Sequence, residues 1–296
     1  MSRVVQRAKP GSASTPSSIF STAVLAVLAV LTTLMLGLCL LPGTSRAIGN
    51  EGADGKFERR DSFHFVLFQD VDLDESSGVR GSRHFEQQIL STLEGAFDLL
   101  NSVLSIRPER KIEVYVWDSH IFDSRFSGLF RFPAAGFYGG AIHVRGDVQM
   151  TGRLVRVLHH ELVHAAFDAV APHLILPAWM NEGIAEWFEA RAMGQRSLSA
   201  HERDALMRAV KHGALFPLVD MSTPSFGGLA PNAAGLAYLQ SRAFIDYLVQ
   251  THGERDLVQF SGDVIRSKNL DRAARRAYRK DLSDLEAGFR RSLGLR

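Results

Sequence analysis

The stretch HHELVHAAF (residues 159–167), followed after a proline-marked turn by LPAWMNEGIAEWFE (residues 176–189), decides how the rest of the chain is read. Within it His160-Glu161-Leu162-Val163-His164 is an HExxH motif. Imidazoles four residues apart on a helix stack on one face, so both can reach one metal ion. Glu161, one position along, then lies beside that ion, where a carboxylate can hold metal-activated water and take its proton. Leu154, Val155, Leu158, Leu162 and Val163 are apolar with no proline between them, which predicts a buried helix for the motif, not a loop.

A five-residue motif recurs by chance, so a metal site needs a third ligand. Glu182 follows His164 by 18 positions, on a second helix starting near Trp179. Two helices joined by a short loop can bring a carboxylate at that separation back beside the His pair. Two imidazoles and one carboxylate leave a coordination position open, as a catalytic zinc ion requires. Glu186, one turn after Glu182, faces the same way and is the candidate to accept a hydrogen bond from the far ring nitrogen of a liganding histidine; a solvated position is the alternative. Glu189 reads as surface, and His159, about 100° around the helix from His160, as a packing or rim residue. His64, His143, His173, His201 and His212 stand isolated and read as structural or solvent-facing.

On these residues the chain resembles the gluzincin metallopeptidases, and within them the peptidase MA-like domain related to the aminopeptidase N and thermolysin clan. The resemblance implies a thermolysin-like α+β core, with His160, His164 and Glu182 as Zn²⁺ ligands and Glu161 as the acid/base of peptide hydrolysis. It spans about Phe57 to the C-terminus, with specific motifs only between 159 and 189. The 17 residues between His164 and Glu182 are one fewer than in the aminopeptidase pattern. Tyr238-Leu239-Gln240-Ser241 is similar to the family segment whose tyrosine faces the developing oxyanion. Gln240 replaces the lysine of the aminopeptidase version, so Tyr238 is read either in that role or as ordinary packing. Gly136 to Val144 (GFYGGAIHV) resembles the strand above the metal, where an extended peptide pairs with a sheet edge. It carries no glutamate motif to grip a free amino terminus, which favours an endopeptidase.

Outward from the motif, the helical half is predicted at 152–169, 179–193, 199–212, 234–252, 254–266 and 282–293, and an earlier helix over 85–104. Strands are predicted at 64–71, at 111–117 as a half-buried strand with Ile112, Val114 and Val116 inward, and at 137–144. A small mixed sheet followed by helices is an α+β arrangement rather than an alternating one. Residues 1–47 read as a signal peptide or signal anchor, 48–56 as a linker and 57–296 as one metallopeptidase domain. Arg3, Arg7 and Lys9 precede an apolar run, Ala23 to Leu41, about as long as a bilayer core requires. Ser45-Arg46-Ala47 offers small residues for cleavage, so both the anchored and the exported form stand, each with the domain on the extracytoplasmic side.

The formal charge of +2 divides into +4 over residues 1–47, −8 over 48–265 and +6 over 266–296. The single cysteine, Cys39, falls in the apolar run, which excludes a disulfide scaffold or cysteine zinc module from the rest. No phosphate-binding loop, dinucleotide fingerprint or G-x-S-x-G elbow is present. Arg272, Arg275, Arg276, Arg279 and Lys280 put several charges on one helix face, a solvated face or a weak contact for anionic lipid. Without interleaved aromatics, nucleic acid is not an expected partner. The expected partners are peptide or protein substrates and, through the N-terminal helix, a membrane; a non-catalytic binding or assembly module that keeps the zincin fold is the alternative.

Overall fold

Apolar side chains on opposite faces of the inner strands give the chain its sheet, one face entering the main core and the other an aromatic cluster. The computed structural model describes residues 57–70, 81–126, 135–146 and 150–295, so residues 1–56, with the apolar run, the linker and Cys39, lie outside the described residues. The strands are β1 (Phe57–Asp61), β2 (Phe65–Asp70), β3 (Ile112–Trp117), β4 (Gly136–Tyr138) and β5 (Ile142–Arg145). They form one mixed sheet in the order β1-β2-β3-β5-β4. β2, β3 and β5 run parallel, while β1 and β4 pair antiparallel to their neighbours at the two ends. Helix α1 (Gly81–Leu104) links β2 to β3, as a parallel pair requires, and α2 (Ser119–Phe126) follows β3 with Asp118 accepting from the His120 and Ile121 N–H groups.

The remaining helices are α3 (Gly152–Val170), α4 (Ala178–Ala192), α5 (Ala200–Lys211), α6 (Pro231–His252), α7 (Glu254–Ser267), α8 (Leu270–Tyr278) and α9 (Leu282–Ser292). The architecture is α+β, a five-stranded sheet beside a mostly helical half. Among the described residues no helix is long and apolar enough to cross a membrane.

Three expectations change at the sheet. Residues 137–144 do not form one strand: Gly139 and Gly140 turn the chain into a β4–β5 hairpin. Gly140 holds φ at +86°, and the Gly139 N–H donates to the Ala141 carbonyl at 2.9 Å. β3 is not half-buried, because Tyr115 and Trp117 lie under an outer cluster with Phe122, Phe126, Phe137 and Ala141. Ile112, Val114 and Val116 point the other way into the main core with Phe65, Leu67, Ile142 and Val144. β1 (FERRD) has no apolar alternation and was absent from the predicted strands; it joins by edge pairing to β2. The basic C-terminal stretch runs along α8, whose Ala273, Ala274 and Ala277 face inward while Arg272, Arg275, Arg276 and the following Arg279 and Lys280 are exposed.

Two close approaches position the helices that matter most. A Cβ on Gly136 would stand 2.8 Å from both the His143 carbonyl oxygen and Val157 Cγ1, so only glycine lets β4 lie this near α3. A Cβ on Gly183 would stand 2.8 Å from the Ser241 carbonyl oxygen, so α4 and α6 cross at the residue after Glu182. α4 starts at Pro177 without a side-chain cap; its first N–H groups donate instead to the carbonyls of Thr223 and Met221, at 2.7 and 3.2 Å. Gly183→Ala should therefore cost about 1–3 kcal/mol of stability through overpacking against α6. Denaturant unfolding checks this, and a change under half a kcal/mol would mean that the crossing yields freely.

Candidate metal centre

Helix α3 is set at its start by Thr151, whose Oγ1 accepts from the Leu154 N–H at 3.1 Å. Every residue from Val157 to Phe167 is buried, because the sheet, α1 and α4 surround this helix. α4 crosses it with nearly its whole length buried. The pairing of these two helices brings His160, His164 and Glu182 together. Glu182 Oε2 lies 3.3 Å from His160 Nε2 and 3.5 Å from His164 Nε2. One atom from each of the three residues falls within 4.8 Å of the others. The imidazole centroids are 4.9 Å apart and the rings are inclined at 70°. His160 and Glu182 are fully buried and His164 is 7% exposed.

The far ring nitrogens also face polar side chains. His164 Nδ1 is 3.1 Å from Asn181 Oδ1, an acceptor that fixes which nitrogen carries the proton. On His160 the neighbour of Nδ1 is Glu189 Oε2 at 3.4 Å, not Glu186. Glu189 is fully buried, so its reading as a surface residue is corrected: α4 is enclosed by α3 on this side, and Arg156 Nε donates to Glu189 Oε1 at 2.5 Å. Glu186 is buried within the same group of carboxylates but has no ion pair with His160. Asn181 carries no sequence signal of its own, because a single amide next to Glu182 has no metal-site spacing. Glu189 had a readable signal: Glu182, Glu186 and Glu189 fall at i, i+4 and i+7, one face of a helix.

The electrostatics are those of a site that wants a cation. Burial opposes the charged form of His160, but its contacts with Glu182 and Glu189 and the charge of Glu161 outweigh burial and raise its pKa well above the ordinary value. Burial also works against Glu182, yet the two imidazoles pull its carboxyl down to about 2. Glu161 is fully buried, and burial raises its pKa; the His164 and His160 charges and the Tyr138 backbone N–H at the edge of the sheet work in the opposite direction. In Glu182, Oε1 is buried with no hydrogen-bond partner. Two nitrogen donors, one ionised carboxylate and an unsatisfied buried oxygen fit a divalent metal with N/O preference.

The other candidate residues have neighbours of their own. Tyr238 lies on α6, one turn before the crossing at Ser241, 7% exposed with its ring edge-on to Phe226 at 5.3 Å. Gln240 clamps a loop: its Oε1 accepts from the Phe216 N–H at 3.0 Å and its Nε2 donates to the Phe216 carbonyl at 2.7 Å. His159 Nδ1 donates to the Val155 carbonyl at 2.7 Å and its side chain faces Phe188. His143 is buried in the outer aromatic cluster and accepts from Trp117 Nε1 at 3.0 Å, while His64 contacts Glu94 at 2.6 Å; His173, His201 and His212 are exposed.

Glu186 supplies a pH test of the metal-free cluster. Burial, with the neighbouring charge of Glu189, raises its pKa to about 7 from the ordinary 4.5. A carboxyl with a raised folded-state pKa favours the folded state below its unfolded pKa, and that contribution is lost as pH rises through the folded value. Metal-free protein should therefore lose stability relative to Glu186→Gln between pH 4.5 and 7, by on the order of 3 kcal/mol. Parallel unfolding curves at both ends of that range would contradict it.

The sequence model of the Peptidase MA superfamily matches residues 99–294. No curated protein matches the chain. The matched span runs from the end of α1 into α9 and takes in the whole His–Glu cluster, and the chain belongs to the Peptidase MA superfamily.

Proposed function

We propose that this chain is a zinc metallopeptidase that hydrolyses internal peptide bonds on the extracytoplasmic side of a membrane. Superfamily membership supports a peptidase with peptide or protein substrates. The observation that carries the finer reading is the convergence of His160, His164 and Glu182 on one buried point with Glu161 beside it. His160, His164 and Glu182 would hold the zinc. The ion, when bound, supplies Lewis acidity toward the scissile carbonyl and toward water.

The chain's own residues then divide the work. Glu161 takes a proton from the attacking water and passes it to the leaving amine; burial raises its pKa, which makes the carboxylate a stronger base than an exposed one. Asn181 keeps the Nδ1 side of His164 engaged, so its Nε2 stays directed at Glu182. β4 ends the sheet order, and its backbone is the support for an extended substrate laid beside the active carboxylates. Endopeptidase action is favoured because GFYGGAIHV offers no carboxylate for a substrate amino terminus. The extracytoplasmic placement rests on the basic and apolar pattern of residues 1–47, and the exposed basic face of α8 offers a secondary contact for anionic head groups.

Glu161→Gln should keep its zinc and lose about 10²–10⁴-fold in peptide hydrolysis, measured as kcat/KM with metal content from the same sample. Zinc-loaded wild type that cleaves no member of a peptide library would support the non-catalytic binding module instead. Tyr238→Phe retains the packing on Phe226 and removes only the hydroxyl. If Tyr238 donates to the developing oxyanion, kcat falls about 10²–10³-fold with KM little changed. Unchanged kcat would leave Tyr238 a packing residue.

A further inference from the structure

Arg156, Glu189 and His160 form a chain of contacts on the side of His160 that faces away from Glu182. Arg156 sits one turn before His160 on α3, and residues four apart share a helix face. Its Nε donates to Glu189 Oε1 at 2.5 Å, while Glu189 Oε2 stands 3.4 Å from His160 Nδ1. Glu189 is fully buried and Arg156 is 32% exposed, so the guanidinium reaches in from the surface to a carboxylate that water does not touch. One stripe of α4 thus presents Glu182 to one ring nitrogen of His160 and Glu189 to the other.

We infer that Glu189, fixed by Arg156, is the positioning residue for His160: it holds the proton on Nδ1 and keeps the Nε2 lone pair aimed into the metal site. A neutral imidazole has one N–H and one acceptor nitrogen, so an acceptor placed against Nδ1 selects the tautomer with Nε2 free to ligate. The guanidinium compensates the burial of the carboxylate and removes its rotational freedom. Glu186, the residue to which helical spacing first points, lies in the same group but makes no ion pair with this imidazole. The inference rests on the reading of His160 as a metal ligand.

The test is zinc affinity of the full chain, by competition with a chromophoric chelator, for E189Q, E186Q, R156M and R156K. The near-isosteric E189Q should bind zinc about 10–100-fold more weakly, whereas E186Q should stay within about threefold of wild type. R156M should weaken binding in the same direction as E189Q, with R156K recovering part of the loss. The visible spectrum of the cobalt-substituted protein should shift for E189Q and R156M but not for E186Q, a response that a merely structural role does not produce. Wild-type affinity and an unchanged cobalt spectrum in E189Q, or a larger loss in E186Q, would overturn the inference. R156M carries the same test at the surface end if E189Q fails to fold. Failure of wild type to bind zinc, or undiminished binding by His160→Ala, would overturn the metal-site reading itself.

Discussion

The structure turns on the cost of burying charge. Glu161, Glu182, Glu186 and Glu189 all lie inside the contact between α3 and α4, with His160 and His164 among them. An unpaired carboxylate taken out of water costs several kcal/mol. Arg156 offsets one of these charges and the imidazoles offset Glu182, but the group as a whole still draws positive charge, as the raised pKa of His160 and the depressed one of Glu182 indicate. A bound cation resolves the same conflict without a proton. The surrounding apolar core exists to hold this arrangement at fixed geometry: Leu158, Leu162, Trp179, Met180 and Ile184 are essentially inaccessible, each worth roughly 1.5–3 kcal/mol in burial.

Holding charged groups in place asks for close helix packing, and glycine supplies it at two points. Gly183 lets α6 seat against α4 directly behind Glu182, and Gly136 lets β4 approach α3 one turn ahead of His160. The Tyr138 hydroxyl also donates to Asp168 at the far end of α3, at 2.7 Å, so β4 is tied to the motif helix beyond the site as well. The edge strand and the side chains of His160, Glu161, His164 and Glu182 are therefore held in one packed unit. That is the property a site needs if its reacting groups are to stay within a fraction of an ångström of working geometry.

Much of this was legible in the sequence, for physical reasons. A helix with a strong apolar face and no breaker announces itself, so the limits of α3 and α4 fall within one residue of the spacing-based reading, and the α+β order follows from where the helices begin. Glu189 shares the helix face of Glu182 and Glu186, but that spacing is overridden by the expectation that charge lies at the surface, and its guanidinium partner lies 33 residues upstream. β1 was hidden because its five residues have no apolar rhythm: only Phe57 packs into the outer aromatic cluster, and the charged residues pair at the edge of the sheet. The β4–β5 turn depended on a positive φ at Gly140, which a run of β-prone residues disguises. The buried face of α8 is built mostly of alanine, at Ala273, Ala274 and Ala277, so it lacks the large apolar residues that mark a helix in sequence.

The proposed function depends on two imidazoles and one carboxylate of this chain holding a single zinc ion between α3 and α4. X-ray absorption at the zinc edge on the zinc-loaded full chain, with bound metal counted per chain, tests it most directly. The expected result is one ion per chain in an all-nitrogen and oxygen shell at about 2.0–2.1 Å, with the multiple-scattering signature of two imidazoles. A signature of one imidazole or none, or zinc well below one per chain, would contradict it.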